Sequence, residues 1–467
     1  MVKYSCERCG KEFSQKSHYD SHKKRKTPCK NNADKIKELV NKAVEEKINE
    51  LKVLININLI NEIPINECDK NMISNNNIKK TRKLGQYFTT NDSLKNKVLK
   101  LVMNNPDVIL EPSVGQGDLI QIIYNNNNNI QFDMYEIDTK IKMLANIPKN
   151  VIYGDFLKQD IKKKYKTIIG NPPFVRTTNG NLYIDFIEKC YNLLENNGEL
   201  IFIIPSDLFK LTCASKLLND MITNGTFTHI YHPHNENLFK NASVDVIVFR
   251  YCKNNQLKKQ VLYNNVALYI INNQGLITFN KNNNINNVSF KKYFDIYVGF
   301  VSGKEIVYKN KEYGNIEVLN GENKIDKYIF IEEFPSDNQK INEYLLTHKE
   351  VLINRKIKKF NEKNWFKWGA PRNIKKVKKH IGKECIYINT LTRNKKIAFK
   401  GKVRYFGGGV IILIPKQKIN LDTVLSYLNS DDFKSNFMFS GRFKIGHRQI
   451  SNSYIPDNLK IHNSIEQ

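Results

Sequence analysis

From residue 84 to about 255, short apolar runs alternate with segments whose apolar residues recur at helical spacing. The runs are Val108–Leu110, Gln131–Ile137, Val151–Tyr153, Thr167–Ile169, Glu199–Ile204, Thr228–Tyr231 and Val244–Tyr251. Each has strand length, while a segment such as LYIDFIEKCYNLLENNG, ending at Gly198, has the helical repeat. This alternation predicts an α/β class: a mostly parallel, seven-stranded sheet with helices on both faces. Ligands of such sheets bind at the carboxyl ends of the strands. Residues 256–467 mix short strands, turns and basic stretches without a repeat, and so predict a separate α+β domain. Upstream, Ile36, Leu39, Val40, Ala43, Val44 and Leu51 lie at helical spacing within residues 33–54. They predict an amphipathic helix, either packed on its own protein or forming a short dimerising coil. Residues 66–83 are polar and Asn/Lys-rich, as a linker would be. The expected domains are 1–30, 31–79 (helix and linker), 80–255 and 256–467.

A chain of 467 residues exceeds what one core organises, and 40% hydrophobic content excludes wholesale disorder. The net charge of +28 points to nucleic acid or an anionic surface as partner. Eighteen Lys/Arg lie between residues 351 and 404 against Glu362 and Glu384, a concentration that codon bias would not produce. Trp365, Phe366, Trp368, Tyr387 and Tyr405 are interleaved with them, and WFKWGAPRN reads either as a DNA-facing turn or as domain core. No apolar run reaches the roughly 18 residues of a membrane span, and the MVKYSCERCG start has no apolar leader. The eight cysteines show no pairing rhythm, so the expected setting is intracellular and reducing, without a membrane partner.

Three cysteines crowd into the first 29 residues. Cys6-x2-Cys9, followed by twelve residues and His22, has the spacing of a ββα zinc finger, with Phe13 and Tyr19 as its small core. Lys26 stands where a second histidine would be, and Cys29 is the natural fourth ligand, with His18 as its rival. Cys6, Cys9, His22 and Cys29 would close a tetrahedral, structural Zn2+ site that supplies most of the folding energy of so short a module. Gln15, His18 and Ser21 occupy base-reading places, and Lys23-Lys24-Arg25-Lys26 suits phosphate contact. The finger is either an auxiliary DNA grip or a protein-binding or structural element.

Five segments carry the chemistry. ILEPSVGQGDLI (109–120) is a strand ending in Glu111-Pro112, then a loop with Gly115 and Gly117 that lets a ligand approach the backbone. MYEID (134–138) places Glu136 at a strand end, where it can accept from ribose hydroxyls. Asp155 with Phe156 can bind an adenine amino group and stack on its ring. IIGNPPF (168–174) follows, after LGQYFTT (84–90) upstream. In Asn171-Pro172-Pro173-Phe174, two prolines fix the backbone and remove two N–H donors. The Asn171 side-chain oxygen and the Pro172 carbonyl are left as acceptors for an exocyclic amine. Donation to both draws the amine's lone pair out of ring conjugation and makes the nitrogen nucleophilic, while Phe174 offers a face to a planar base. No Pro-Cys lies at the fourth strand, which excludes C5-cytosine chemistry.

At these residues the chain resembles the S-adenosylmethionine-dependent N6-adenine DNA methyltransferases of the γ class, strongly over 84–251 and loosely to about 460. The resemblance implies a Rossmann-like class I methyltransferase domain followed by a target-recognition domain. It implies that Thr89 contacts the methionine carboxylate of S-adenosyl-L-methionine, Glu111 its ammonium or ribose, Glu136 the ribose, and Asp155 and Phe156 the adenine. Asn171 to Phe174 would hold a target adenine flipped out of double-stranded DNA, and Phe239 matches a second aromatic sandwiching it. Phe239 as a plain core residue is the alternative. Thr90 departs from the proline usual at its position. SGRFKIGHRQISNSYIP (440–456) resembles the closing segment of such recognition domains. Residues 1–80 are too short for a nuclease, so a cognate restriction endonuclease would be a separate protein. An RNA N6-adenine methyltransferase and a non-catalytic DNA-binding regulator are the competing readings.

Overall fold

The structure is a computed structural model that describes residues 4–6, 11–24, 85–177, 180–239, 243–255, 259–283 and 288–455. The expected helix at 33–54, the linker at 66–83, Cys9 and Cys29 lie outside the described residues. The chain divides into two units, Met1–Asn77 and Ile78–Gln467. In the first, strands β1 (Tyr4–Ser5) and β2 (Glu12–Phe13) pair antiparallel ahead of helix α1 (Lys16–Lys23). Tyr4 stacks on Tyr19 at 6.0 Å and Phe13 lies 6.1 Å from it, so the two expected core residues are in contact, both half-buried.

In the second unit, α2 (Asp92–Leu101) starts where the Asn91 side chain accepts from Leu94 N–H, and it buries Leu94, Val98 and Leu101. Strand β3 (Val108–Glu111), helix α3 (Asp118–Asn126), β4 (Gln131–Glu136), β5 (Val151–Tyr153) and β6 (Tyr165–Gly170) follow. A hairpin of β7 (Arg176–Thr177) and β8 (Gly180–Asn181) leads into α4 (Leu182–Leu193) and β9 (Leu194–Pro205). Helix α4 ends at Leu193, five residues before the expected Gly198. The chain instead turns through Asn197 at φ +61° and re-enters the sheet, where Gly198 lies so close to the Glu195 and Tyr165 carbonyls that a Cβ would crowd them.

Helix α5 (Ser215–Thr223) precedes β10 (Gly225–Tyr231) and β11 (Val246–Lys253), and then β12 (Gln260–Tyr263), β13 (Val266–Asn273) and β14 (Leu276–Asn280). The sheet order is β14-β13-β12-β10-β11-β9-β6-β3-β4-β5, with five of its nine pairings parallel. The fold is therefore mixed α/β around a large, mostly parallel sheet, but with ten strands where seven were expected. The added three lie beyond position 255: β12 joins β10 in parallel and two antiparallel hairpins extend it.

The rest of the unit is built on antiparallel sheets, the largest being a four-stranded one that joins Phe294–Val298, Val410–Pro415, Glu384–Asn389 and Ala398–Lys402. Trp365 and Trp368 are each only 2% exposed, and Trp368 donates its indole N–H to the Ile329 carbonyl at 2.9 Å, which decides for the core reading of both. Arg355, from the basic run, is buried too, its guanidinium donating to the carbonyls of Leu352, Ser302, Trp365 and Lys367. Asn436, from this part, pairs its side-chain amide with the backbone N–H and C=O of Phe279, closing the edge strand β14.

Two polar anchors fix the sheet. Glu199, fully buried, takes Arg250 Nε at 2.7 Å, the Met103 and Asn104 amides and the Thr167 hydroxyl, joining β9, β11, β6 and the end of α2. Asp245 accepts from His232, Ser206 and the Ser440 amide, bonds that outweigh burial and hold its carboxyl below the ordinary range. Among the described residues no helix is long and apolar enough to cross a membrane.

Candidate active site

The carboxyl ends of β3, β4, β5 and β6 meet the segment before α2 around a cavity of about 920 Å³, counting its open mouth. Gly115, Glu136, Asp155, Phe156, Asn171 and Pro173 line it together with Pro112, so most of the residues expected at a cofactor site converge. Glu136 accepts from Gly115 N–H at 2.9 Å and from Asp138 N–H at 2.8 Å, pinning the glycine loop to the end of β4. Each carboxylate oxygen has lone-pair capacity left for a hydroxyl. Gly115 has φ +57° and a Cβ there would press on the Phe88 ring. Gly117, at φ +90°, is the N-cap of α3, and a Cβ there would overlap the Ile147 side chain. Asp155 caps the turn after β5 by accepting from Leu157 N–H at 3.1 Å. Phe156 is buried, stacked on Phe186 at 5.6 Å and 23°.

Glu111 stands apart. It is 2% exposed, and neither carboxylate oxygen has a hydrogen-bond partner. Burial raises its pKa well above the ordinary range; the Ser113 amide offsets part of that rise without reaching bonding geometry, and Glu136 adds to it. A buried carboxyl without a donor is costly unless a ligand cation or hydroxyl completes it. Glu111 is not among the residues that line the cavity, whereas Glu136 and Gly115 are, so the residues present fit a cofactor carrying a ribose: Glu136 offers acceptors, the glycine loop offers close approach, and Glu111 lies buried next to the lining residue Pro112.

Asn171 follows β6. Its Nδ2 donates to the Tyr87 carbonyl at 2.7 Å and to Thr89 Oγ1 at 3.0 Å. Those two acceptors fix which way the amide faces, and they leave Oδ1 buried without a partner. An acceptor held ready in this way suits an amine donor. Thr89 is buried beneath it, with its hydroxyl oxygen already accepting from Asn171. Pro172 is buried as well, while Pro173 reaches the cavity wall.

Phe174 and Phe239 do meet, with ring centroids 6.1 Å apart, but their planes stand at 82°. Two parallel faces with a slot between them are absent. Tyr87 instead stacks on Phe174 at 5.3 Å and 28° and touches Phe239 at 5.8 Å. Sequence reasoning passed over Tyr87, as it did Gln86, which donates to Asp138 at 3.2 Å, and Phe186. The available signal is that Gln86 and Tyr87 belong to the same LGQYFTT segment as Thr89.

In the amino-terminal unit, Cys6 at the end of β1 and His22 on α1 are both buried, with the His22 ring 5.0 Å from Phe13. His18, the rival ligand, is exposed. Among the described residues no cluster of three or more His, Cys, Asp or Glu is arranged for a metal, and Cys9 and Cys29 lie outside them.

A family model described as "Eco57I restriction-modification methylase" matches residues 99–239. Over 196 residues the chain is 33% identical to Type II methyltransferase M.HincII of Haemophilus influenzae, covering 36% of this chain and 37% of that protein. It is also 33% identical over 110 residues to Ribosomal RNA small subunit methyltransferase A of Aster yellows witches'-broom phytoplasma (strain AYWB), covering 21% of this chain and 40% of that one. The match therefore spans little more than a third of the length of M.HincII. Among solved structures, the Type IIL restriction-modification enzyme MmeI in complex with DNA aligns with a TM-score of 0.49 at 12% identity, over 81% of this chain and 65% of that one.

Proposed function

We propose that the chain is a site-specific DNA adenine N6-methyltransferase of the γ class that uses S-adenosyl-L-methionine. The observation that carries this reading is Asn171: a buried, unpartnered acceptor whose amide is oriented by Tyr87 and Thr89, at the strand end beside the cavity. The match to a restriction-modification methylase model and the 33% identity to M.HincII support it.

When bound, the cofactor supplies an electrophilic methyl group. Glu111 and Glu136 hold its ammonium and ribose, Thr89 its carboxylate, and Asp155 and Phe156 its adenine. The substrate adenine leaves the duplex stack to reach the site. Asn171 Oδ1 and the Pro172 carbonyl accept both N6 hydrogens, so charge developing on nitrogen is met by acceptors that need no reorganisation. Phe174 stacks on the base, Phe239 bounds its pocket, and the N6 proton leaves to solvent. The basic surface of residues 351–404 grips the DNA backbone, and a separate endonuclease is the cognate partner. Cys6, Cys9, His22 and Cys29 hold one structural Zn2+ in the amino-terminal finger.

A second reading, an RNA N6-adenine methyltransferase, is favoured by the identity to the ribosomal RNA enzyme. Transfer of labelled methyl from S-adenosylmethionine to unmethylated duplex DNA and to RNA, followed by nucleoside analysis and mapping, separates the two. N6-methyladenine in one short DNA context is the expected result. Label confined to RNA would move the assignment there, and no label in either would leave a non-catalytic regulator.

A further inference from the structure

One face of the Phe174 ring is covered by another aromatic side chain. Tyr87 lies on it at 5.3 Å and 28°, and Phe239 completes a triangle of rings at 5.8 and 6.1 Å. Non-bonded carbons rest about 3.5–4.0 Å apart, so a base inserted between two rings needs about 7 Å between them. The Tyr87–Phe174 pair is too close for that. A base that stacks on this face of Phe174 must displace the Tyr87 ring.

The backbone of Tyr87 has a different task. Its carbonyl accepts from Asn171 Nδ2 at 2.7 Å and so helps to aim the unpartnered Oδ1. One residue thus orients the acceptor through its main chain and occupies the neighbouring stacking place through its side chain. Truncating the side chain leaves the carbonyl, and with it the aim of Asn171, in place. The two tasks can therefore be separated by mutation.

We propose that Tyr87 is a positioning residue whose ring is a placeholder for the target base, keeping Phe174 covered until an extruded adenine displaces it. The inference rests on the adenine reading above and adds to it the step at which base entry is opposed. Aromatic pairs of this kind contribute about 0.5–1.5 kcal/mol beyond area burial, which converts to a bias of about two- to twelve-fold against entry.

The experiment uses the full chain and two duplexes: one carries 2-aminopurine at the adenine mapped for the wild-type enzyme and reports fluorescence, and the other keeps that adenine, whose N6 accepts the methyl group, and reports KM. If the wild type puts no methyl group on DNA adenine, the functional reading fails before any variant is compared. Given a methylating wild type, Tyr87→Ala is expected to raise 2-aminopurine fluorescence in the complex and to lower the KM for DNA by about two- to twelve-fold. Tyr87→Phe, which keeps the ring, should return both readouts towards wild type. Tyr87→Leu, which keeps apolar bulk without a ring, should follow the alanine variant, and it decides the matter if Tyr87→Ala does not fold. Unchanged fluorescence and KM, or a dimmer signal with a higher KM, would overturn the placeholder: the first makes the ring a bystander, the second a permanent wall of the pocket.

Discussion

Replacing Asn171 with alanine removes the acceptor on which the proposed chemistry depends, and the structure lets the loss be worked out. Asn171 makes two hydrogen bonds through Nδ2, at 2.7 and 3.0 Å, and its Oδ1 is held without a partner. A preorganised donor or acceptor facing developing charge is worth about 2.7–4 kcal/mol, or roughly 10²–10³ in rate. Truncation also strips the Tyr87 carbonyl of its donor, at about 1–3 kcal/mol of stability. Asn171→Ala should therefore slow single-turnover methyl transfer at least a hundredfold and lower the unfolding free energy modestly. Cofactor affinity, measured by calorimetry, should change little, because Glu111 and Glu136 lie on other strands. Asn171→Asp sharpens the test: it keeps an acceptor at the Oδ1 position but sets an oxygen against the Tyr87 carbonyl, so the bonds that orient the side chain are lost and the rate should fall as well. A transfer rate within tenfold of wild type in the alanine variant, with cofactor bound, would refute the argument. Equal losses of rate and cofactor affinity would make Asn171 a structural residue.

Glu111 should give the unliganded protein a pH-dependent stability. Its folded pKa is raised, so the folded state binds a proton that the unfolded chain has released. Stability is greatest below the ordinary carboxylate range and falls as pH climbs through the raised value. Glu111→Gln should flatten that slope in thermal unfolding. It should also abolish a rise of cofactor affinity with pH over the same window, since a bound ammonium favours the ionised form; identical pH profiles in both proteins would contradict this. Glu199→Ala leaves Arg250 buried without its carboxylate and should cost about 3–5 kcal/mol in urea unfolding, where a loss below about 1 kcal/mol would mean that the anchor is replaceable. Zinc analysis should find one ion per chain, and Cys6→Ser should release it while methyl transfer survives. Transfer that fails after chelation in a chain lacking residues 1–30 would show that metal serves the chemistry.

The sheet was legible in the sequence where its strands are buried on both faces. Ile168, Ile169 and Leu200 to Ile204 read as strands because nothing polar interrupts them. Strands β12 to β14 were not, since VALYIINN is half exposed and alternates weakly, which suits the margin of a sheet as well as it suits a second domain. The placement of the motif residues was legible: Glu136, Asp155 and Asn171 each end a strand or begin the turn after it, so their order along the chain became their convergence on one cavity. Contacts that join distant segments were beyond reach. Tyr87 lies far from Phe174 in sequence, and the pattern of LGQYFTT carries no sign that its tyrosine rests on the ring after the prolines. Charge counting failed for a similar reason at Arg355, because composition cannot separate a cation offered to solvent from one spent on four carbonyls.

The Asn436 amide on β14 bears on chimeras that exchange the carboxyl-terminal part of the chain. A junction at residue 255 would cut away three strands and bare β10 as a new edge, inviting copies of the protein to pair through it. A junction between 281 and 288 keeps all ten strands together in the amino-terminal part. It then leaves the Phe279 backbone without the side chain that stands in for an eleventh strand. A transplanted carboxyl-terminal half would need to bring its own amide to that place, so the interchangeable unit is set by the margin of the sheet rather than by a boundary at residue 255.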